Sequence, residues 1–157
     1  RCAKLLARHF NNRLSDELVA PALYEQCTQA GDQIAQYFEQ RYYSKAVQEI
    51  NRTADCINQY LTEQAPWTLL KIDPTSQHAA DVCSLGIQCF RCLITYLKPI
   101  TPQLADRAEQ FLGHRTHCWD DCKTPLTDHT LNPYTHLLSR VPESPLHTLI
   151  ASCTSTP

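Results

Sequence analysis

Arg1, Lys4 and Arg8 stand at steps of three and four, a spacing that puts three cationic side chains on one face of a helix. Arg13 follows close behind. A basic stripe of this kind neutralises phosphates, and a nearby aromatic ring gives an unstacked base something to lie on. The ring is Trp67, fixed by Pro66 at the end of a long apolar-periodic run. Taken singly, the stripe has the reading of a solvated helix face and the indole that of a core plug. Taken together they point to single-stranded RNA, whose loops are read by stacking on aromatic rings combined with Arg and polar contacts.

The other residues that could do chemistry form weaker sets. His114, Cys118 and Cys122, with His117 among them, have soft ligands within zinc spacing; the alternative is a loop that happens to be rich in such residues. Cys89 and Cys92 have the spacing of a redox motif, but they fall inside an apolar helical run rather than at a helix start after a strand. Cys27, Cys56 and Cys83 also occupy apolar helical positions, where a thiol acts as a small hydrophobe. Nine cysteines at irregular spacing do not form a secreted disulfide framework and favour a reduced compartment. Asp120-Asp121 reads as a solvated turn. Three glycines cannot build a phosphate-binding loop, and no nucleophile accompanies the histidines. No catalytic residue is expected in this chain.

The elements that must position these residues are helices. The 157 residues suit one domain, and 43% hydrophobic with 19% charged residues excludes a disordered chain. A net charge of -2 restricts nucleic-acid binding to a local patch. No unbroken apolar run reaches membrane-spanning length. The opening at Arg1 has the texture of a helix already under way, as in a piece of a larger protein. That helix is expected to run to about Phe10, with Asn11-Asn12 and Ser15-Asp16 marking a connection. Pro21 starts a second helix to about Tyr42, carried by Leu23, Cys27, Ala30, Ile34 and Phe38. Ser44 is expected to cap a third, which runs to Ala65 on Val47, Ile50, Ala54, Ile57 and Leu61. Proline at 66 should end it and hold Trp67 at its mouth. His78 to Leu97 is apolar on most sides and should be central, with Gly86 permitting close packing. Thr101-Pro102 opens another helix, closed by Gly113. Two short helical candidates follow at Pro133–Arg140 and Pro145–Cys153. The expected fold is all-α: an antiparallel helix bundle over 1–112, trailed by a loosely structured segment over 113–157 that contributes less to the core. Trp119 and the Leu137-Leu138 pair should lie over the bundle or along a cut interface.

Glu63-Gln64-Ala65-Pro66-Trp67, Gly86-Ile87 to Phe90-Arg91, Thr95-Tyr96-Leu97-Lys98-Pro99 and Thr101-Pro102 closely resemble the anticodon-binding helical bundle of methionyl-tRNA synthetases, nearest to bacterial members. Leu18 to Tyr24, Ala46-Val47 and Glu49-Ile50 extend the likeness. Cys118-Trp119-Asp120, Asn132-Pro133, Leu138 and Arg140-Val141 are similar to the family's C-terminal peptide, which returns toward the catalytic domain. The resemblance implies the anticodon-domain fold of class I synthetases and a cytoplasmic parent enzyme that joins methionine to its tRNA with ATP. It implies that Trp67 stacks on a base of the CAU anticodon, that Pro66 holds the ring, and that Arg1 contacts anticodon bases. Lys4 and Arg8 are assigned to the tRNA backbone. Two further family asparagines would precede Arg1, so weak binding is expected of the chain alone. The implied partners are initiator and elongator methionine tRNAs and the catalytic domain of the same chain. No cofactor is expected here; ATP and a zinc-bearing insertion belong to the catalytic half. The chain itself is expected to be a monomer with no membrane contact. Two other readings stand beside this one: a protein-interaction module anchored by Trp67, and a zinc-stabilised bundle using His114, Cys118 and Cys122.

Overall fold

The computed structural model describes residues 1–138. Its elements are six α-helices: α1 Cys2–His9, α2 Pro21–Glu39, α3 Tyr43–Gln64, α4 Pro66–Ile72, α5 Gln77–Leu97 and α6 Pro102–Leu112. A 3-10 turn, Trp119–Lys123, follows. Short connections fold them into the expected bundle around α5. Fifteen of the 21 residues of α5 are buried, and all the other helices pack against it. By length and composition α5 could cross a membrane, yet 72% of its most apolar stretch is buried within the bundle. Ile34, Ile50, Ile57 and Leu85 lie at its centre, each worth about 1.5–3 kcal/mol of apolar transfer.

Helix boundaries follow backbone chemistry. Asn11 and Asn12 take left-handed conformations (φ 49° and 62°), which asparagine tolerates, and so turn the chain after α1. Helix α2 was expected to reach Tyr42 but stops at Glu39. Arg41 adopts φ 62°; its N–H bonds Phe38 O, and the Tyr42 N–H bonds Tyr37 O. This pair of bonds ends a helix whichever residue fills the left-handed position, and arginine does so here at a steric cost. Ser44 does not cap α3 either. The cap is Tyr42, which provides no side-chain bond, and Ser44 lies within the first turn. Ser76 caps α5 through Ala79 N, and Gly113 (φ 62°) closes α6.

The boundary expected after Leu112 is not a break in packing. Thr116, Cys122 and Leu131 are buried. Leu14 N donates to His129 O at 2.8 Å, and Leu131 N to Asn12 O at 2.8 Å, around an isolated bridge between Arg13 and Thr130. Trp119 packs on Tyr96, with ring centroids 5.1 Å apart, and edge-on to Phe38 at 6.0 Å, so it lies over the bundle as expected. Leu137 is half-buried and Leu138 is 68% exposed. Positions 133–138 are not helical; the rest of that candidate and all of Pro145–Cys153 lie outside the described residues. Amides of Leu14 and Leu131 are expected to exchange nearly as slowly as those of central α5. Hydrogen exchange at rates typical of exposed loops would show that 113–131 opens apart from the helices.

Asp120-Asp121 lies in a solvated turn, as expected, and Asp121 also holds that 3-10 turn together. The Asp121 carboxylate accepts from Cys118 Sγ, Cys118 N (3.1 Å) and His117 N (2.7 Å). The Cys118 thiol and then the two backbone donors hold its pKa at about 2, below the usual 3.8. A depressed acid stabilises the turn above its unfolded value, and the benefit is lost as pH falls from 3.8 toward 2. A carboxyl NMR titration of Asp121 should therefore show a midpoint of about 2, and a midpoint at the ordinary value would mean the capping bonds do not persist in solution.

Candidate nucleic-acid interface

Pro66 does end α3, but it also starts a helix. Ala65 takes a left-handed conformation (φ 42°, ψ 54°), donates to Leu61 O at 3.0 Å as the cap of α3, and accepts from Thr68 N at 2.8 Å as the cap of α4. Proline fits the first position of α4 because the N–H it lacks has no partner there. Its ring is buried, so the elbow is fixed. Trp67 is the second residue of α4 and half-buried, rather than projecting from the end of α3.

Across 66 positions of sequence, Arg1 lies on this ring: its guanidinium carbon is 5.1 Å from the indole centroid. Gly86 makes the approach possible. A Cβ there would sit 3.2 Å from Cys2 Sγ and 3.2 Å from a Leu61 methyl. Cys2 follows Arg1 and Leu61 precedes Ala65 by one turn, so one missing side chain on α5 lets α1 and the end of α3 close together. Arg1 also forms the rim of an apolar cleft of about 290 Å³ that runs past Ile57, Leu61, Phe90 and Leu137.

Lys4 and Arg8 are exposed on the same helix and keep their stripe. Arg13 does not extend it, because Arg13 is paired with Asp128. The structure adds residues that the sequence reading missed. Lys71 is exposed and one turn beyond Trp67 on α4, hence on the same face. His78 Nε2 and Gln64 Oε1, 3.0 Å apart, tie the start of α5 to the end of α3. The Ala-Pro-Trp step carried the signal for α4: proline is as much a helix opener as a stop.

The other candidate sets are not assembled. Cys122 is fully buried and its thiol meets Thr95 Oγ1 at 3.3 Å, whereas Cys118 is exposed and bonded to Asp121. No group of three or more His, Cys, Asp or Glu able to hold a metal occurs among the described residues, so His114, Cys118 and Cys122 do not form the zinc site considered above. Cys89 and Cys92 face different partners. Hydrogen bonding with Cys27 and Cys122 respectively, then burial, pushes both thiols up.

A family model described as the anticodon binding domain of methionyl tRNA ligase matches residues 16–143. The fold is also that of solved methionyl-tRNA synthetases from Mycobacterium tuberculosis. The apo form superposes with a TM-score of 0.80 at 18% identity, over 90% of this chain and 30% of that one. The complex with methionyl-adenylate gives 0.79 at 18%, over 89% and 29%. The chain thus spans about 30% of the length of these structures.

Proposed function

This chain belongs to the anticodon-binding-domain family of methionyl-tRNA ligases, and from that premise we propose that it reads the CAU anticodon of methionine tRNAs, initiator and elongator alike. The observation that carries the reading is the Arg1–Trp67 pair: a cation and an indole 66 positions apart in sequence, in contact on a fixed elbow. Trp67 supplies the stacking face and Pro66 its rigidity. Arg1, which covers the ring in this structure, moves aside to the edge of the base that takes its place, and Lys4 and Arg8 attract the backbone. No residue here has a catalytic role. Activation of methionine with ATP and transfer to tRNA fall to a catalytic domain of the same chain in a cytoplasmic parent enzyme, and the bundle itself acts as a monomer. The zinc alternative is set aside by the positions of Cys118 and Cys122, and nothing in the comparisons favours a protein-interaction module.

Labelled RNA hairpins test the reading. A CAU loop should bind more tightly than loops altered at any of its three bases; equal affinity for all loops would remove anticodon reading. Lys4→Gln and Arg8→Gln should each weaken every hairpin alike and lower the salt slope by about 1. Arg1→Gln should instead narrow the gap between CAU and altered loops. Because Arg1 is the first residue of the chain, where fraying concentrates, the Arg1 comparison is best made in the parent enzyme.

A further inference from the structure

Arg91 stands about four turns along α5 from its junction with α4, and it is 1% exposed. Its Nη2 donates to Asp121 O at 2.7 Å, Thr124 O at 2.6 Å and Tyr24 Oη at 3.5 Å, and so ties the 3-10 turn to the core. Among the described residues its Nε and Nη1 have no hydrogen-bond partner and no carboxylate pairs with it. A buried guanidinium without an anion is costly, and an orphaned buried donor calls for an explanation. Arg91 also forms part of the wall of an open cleft of about 590 Å³, beside Gly113, His114, Arg115 and the 120–126 turn.

The charges around this cleft are unevenly committed. Asp120 is paired with Lys123 at 2.6 Å, and Asp121 is filled by its three donors. Glu109 takes Lys98 at 2.6 Å and Thr116 N at 3.2 Å, leaving Arg115 only a loose 3.9 Å approach. Among the described residues these acids are engaged, while Arg91 keeps two buried nitrogens without a partner and the exposed Arg115 has only its loose approach to Glu109. We propose that this cleft binds a phosphate-class oxyanion, held by Arg115 and His114 at its mouth and by the charge of Arg91 beneath. Such an anion would offset the buried charge without a protein carboxylate. Free phosphate and an RNA backbone phosphate share this chemistry.

The probe is inorganic phosphate, titrated at constant ionic strength against chloride into the 157-residue chain labelled with nitrogen-15. The Arg91 Nε–H resonance and the amides of Gly113 to Arg115 should shift saturably with phosphate alone. Arg115→Gln, on the surface and safe for folding, should weaken binding about tenfold, the usual worth of a hydrogen bond to a charged group. Shifts that follow ionic strength whatever the anion would overturn the proposal. The Cys122 thiol beside Arg91 gives a second arm. Hydrogen bonding from Cys92 holds that thiol below its ordinary value, with Arg91 contributing. If phosphate binds only in Cys122→Ser, a thiolate already neutralises Arg91 and the proposal fails; equal binding in both upholds it. A CAU hairpin that displaces phosphate from Arg91 would assign the site to the RNA backbone, whereas simultaneous binding would assign it to the free ion.

Discussion

Trp67→Ala is expected to weaken binding of a CAU hairpin by about 1–3 kcal/mol, the worth of one base–aromatic stack. The indole is half-buried and sits at the second position of a seven-residue helix, outside the cluster formed by Ile34, Ile50 and Leu85. Truncation should therefore leave a cooperative unfolding transition, and circular dichroism should show the helices intact. Trp67→Phe keeps a smaller face and should recover part of the loss. A variant that unfolds while the parent enzyme keeps its preference for CAU would show that the ring serves the core rather than the RNA.

The second large effect is expected at Gly86. Valine there would add methyls beyond a Cβ already 3.2 Å from both Cys2 Sγ and Leu61. Overpacking of this kind costs about 1–3 kcal/mol, and here it also pushes apart the two segments that carry Arg1 and Trp67. Gly86→Val should thus lower the urea midpoint and weaken hairpin binding together. Gly86→Ala needs its neighbours to give only a few tenths of an ångström and gains helix propensity of about 1 kcal/mol, so it should remain close to wild type. Equal damage from alanine and valine would mean that backbone approach, not side-chain volume, is what Gly86 protects.

The main helices were legible in the sequence because periodicity is a bulk signal: α2, α3 and α6 each carry an apolar stripe, α5 is apolar on most sides, and Gly113 and Pro102 punctuate them. What escaped was short or non-local. Helix α4 has two turns, too few to show a period, and a proline after a long helical run reads as a stop as readily as a start. The end of α2 depends on Arg41 accepting a left-handed backbone, which its side chain does not announce. Of the site, the identities of Trp67, Pro66 and Arg1 came from local spacing and family likeness. Their contact could not, since it depends on Gly86 and on the packing of three helices. The fates of Cys118 and Cys122 were equally hidden: four residues apart on a short turn, they face opposite directions.

The shared elbow at Ala65 has an electrostatic consequence. A helix that begins alone presents a partial positive charge, and one that ends alone a partial negative charge. Here the carboxyl end of α3 and the amino end of α4 meet at one residue, so the two half-charges largely cancel beneath the indole. The peptide backbone then offers an approaching polyanion little attraction at Trp67. Under the proposed reading the pull comes from the exposed side chains Arg1, Lys4, Arg8 and Lys71, each of which would release counterions on binding. Association at this end of the bundle should accordingly be steep in salt, while the stack on the ring, once made, should hardly sense it.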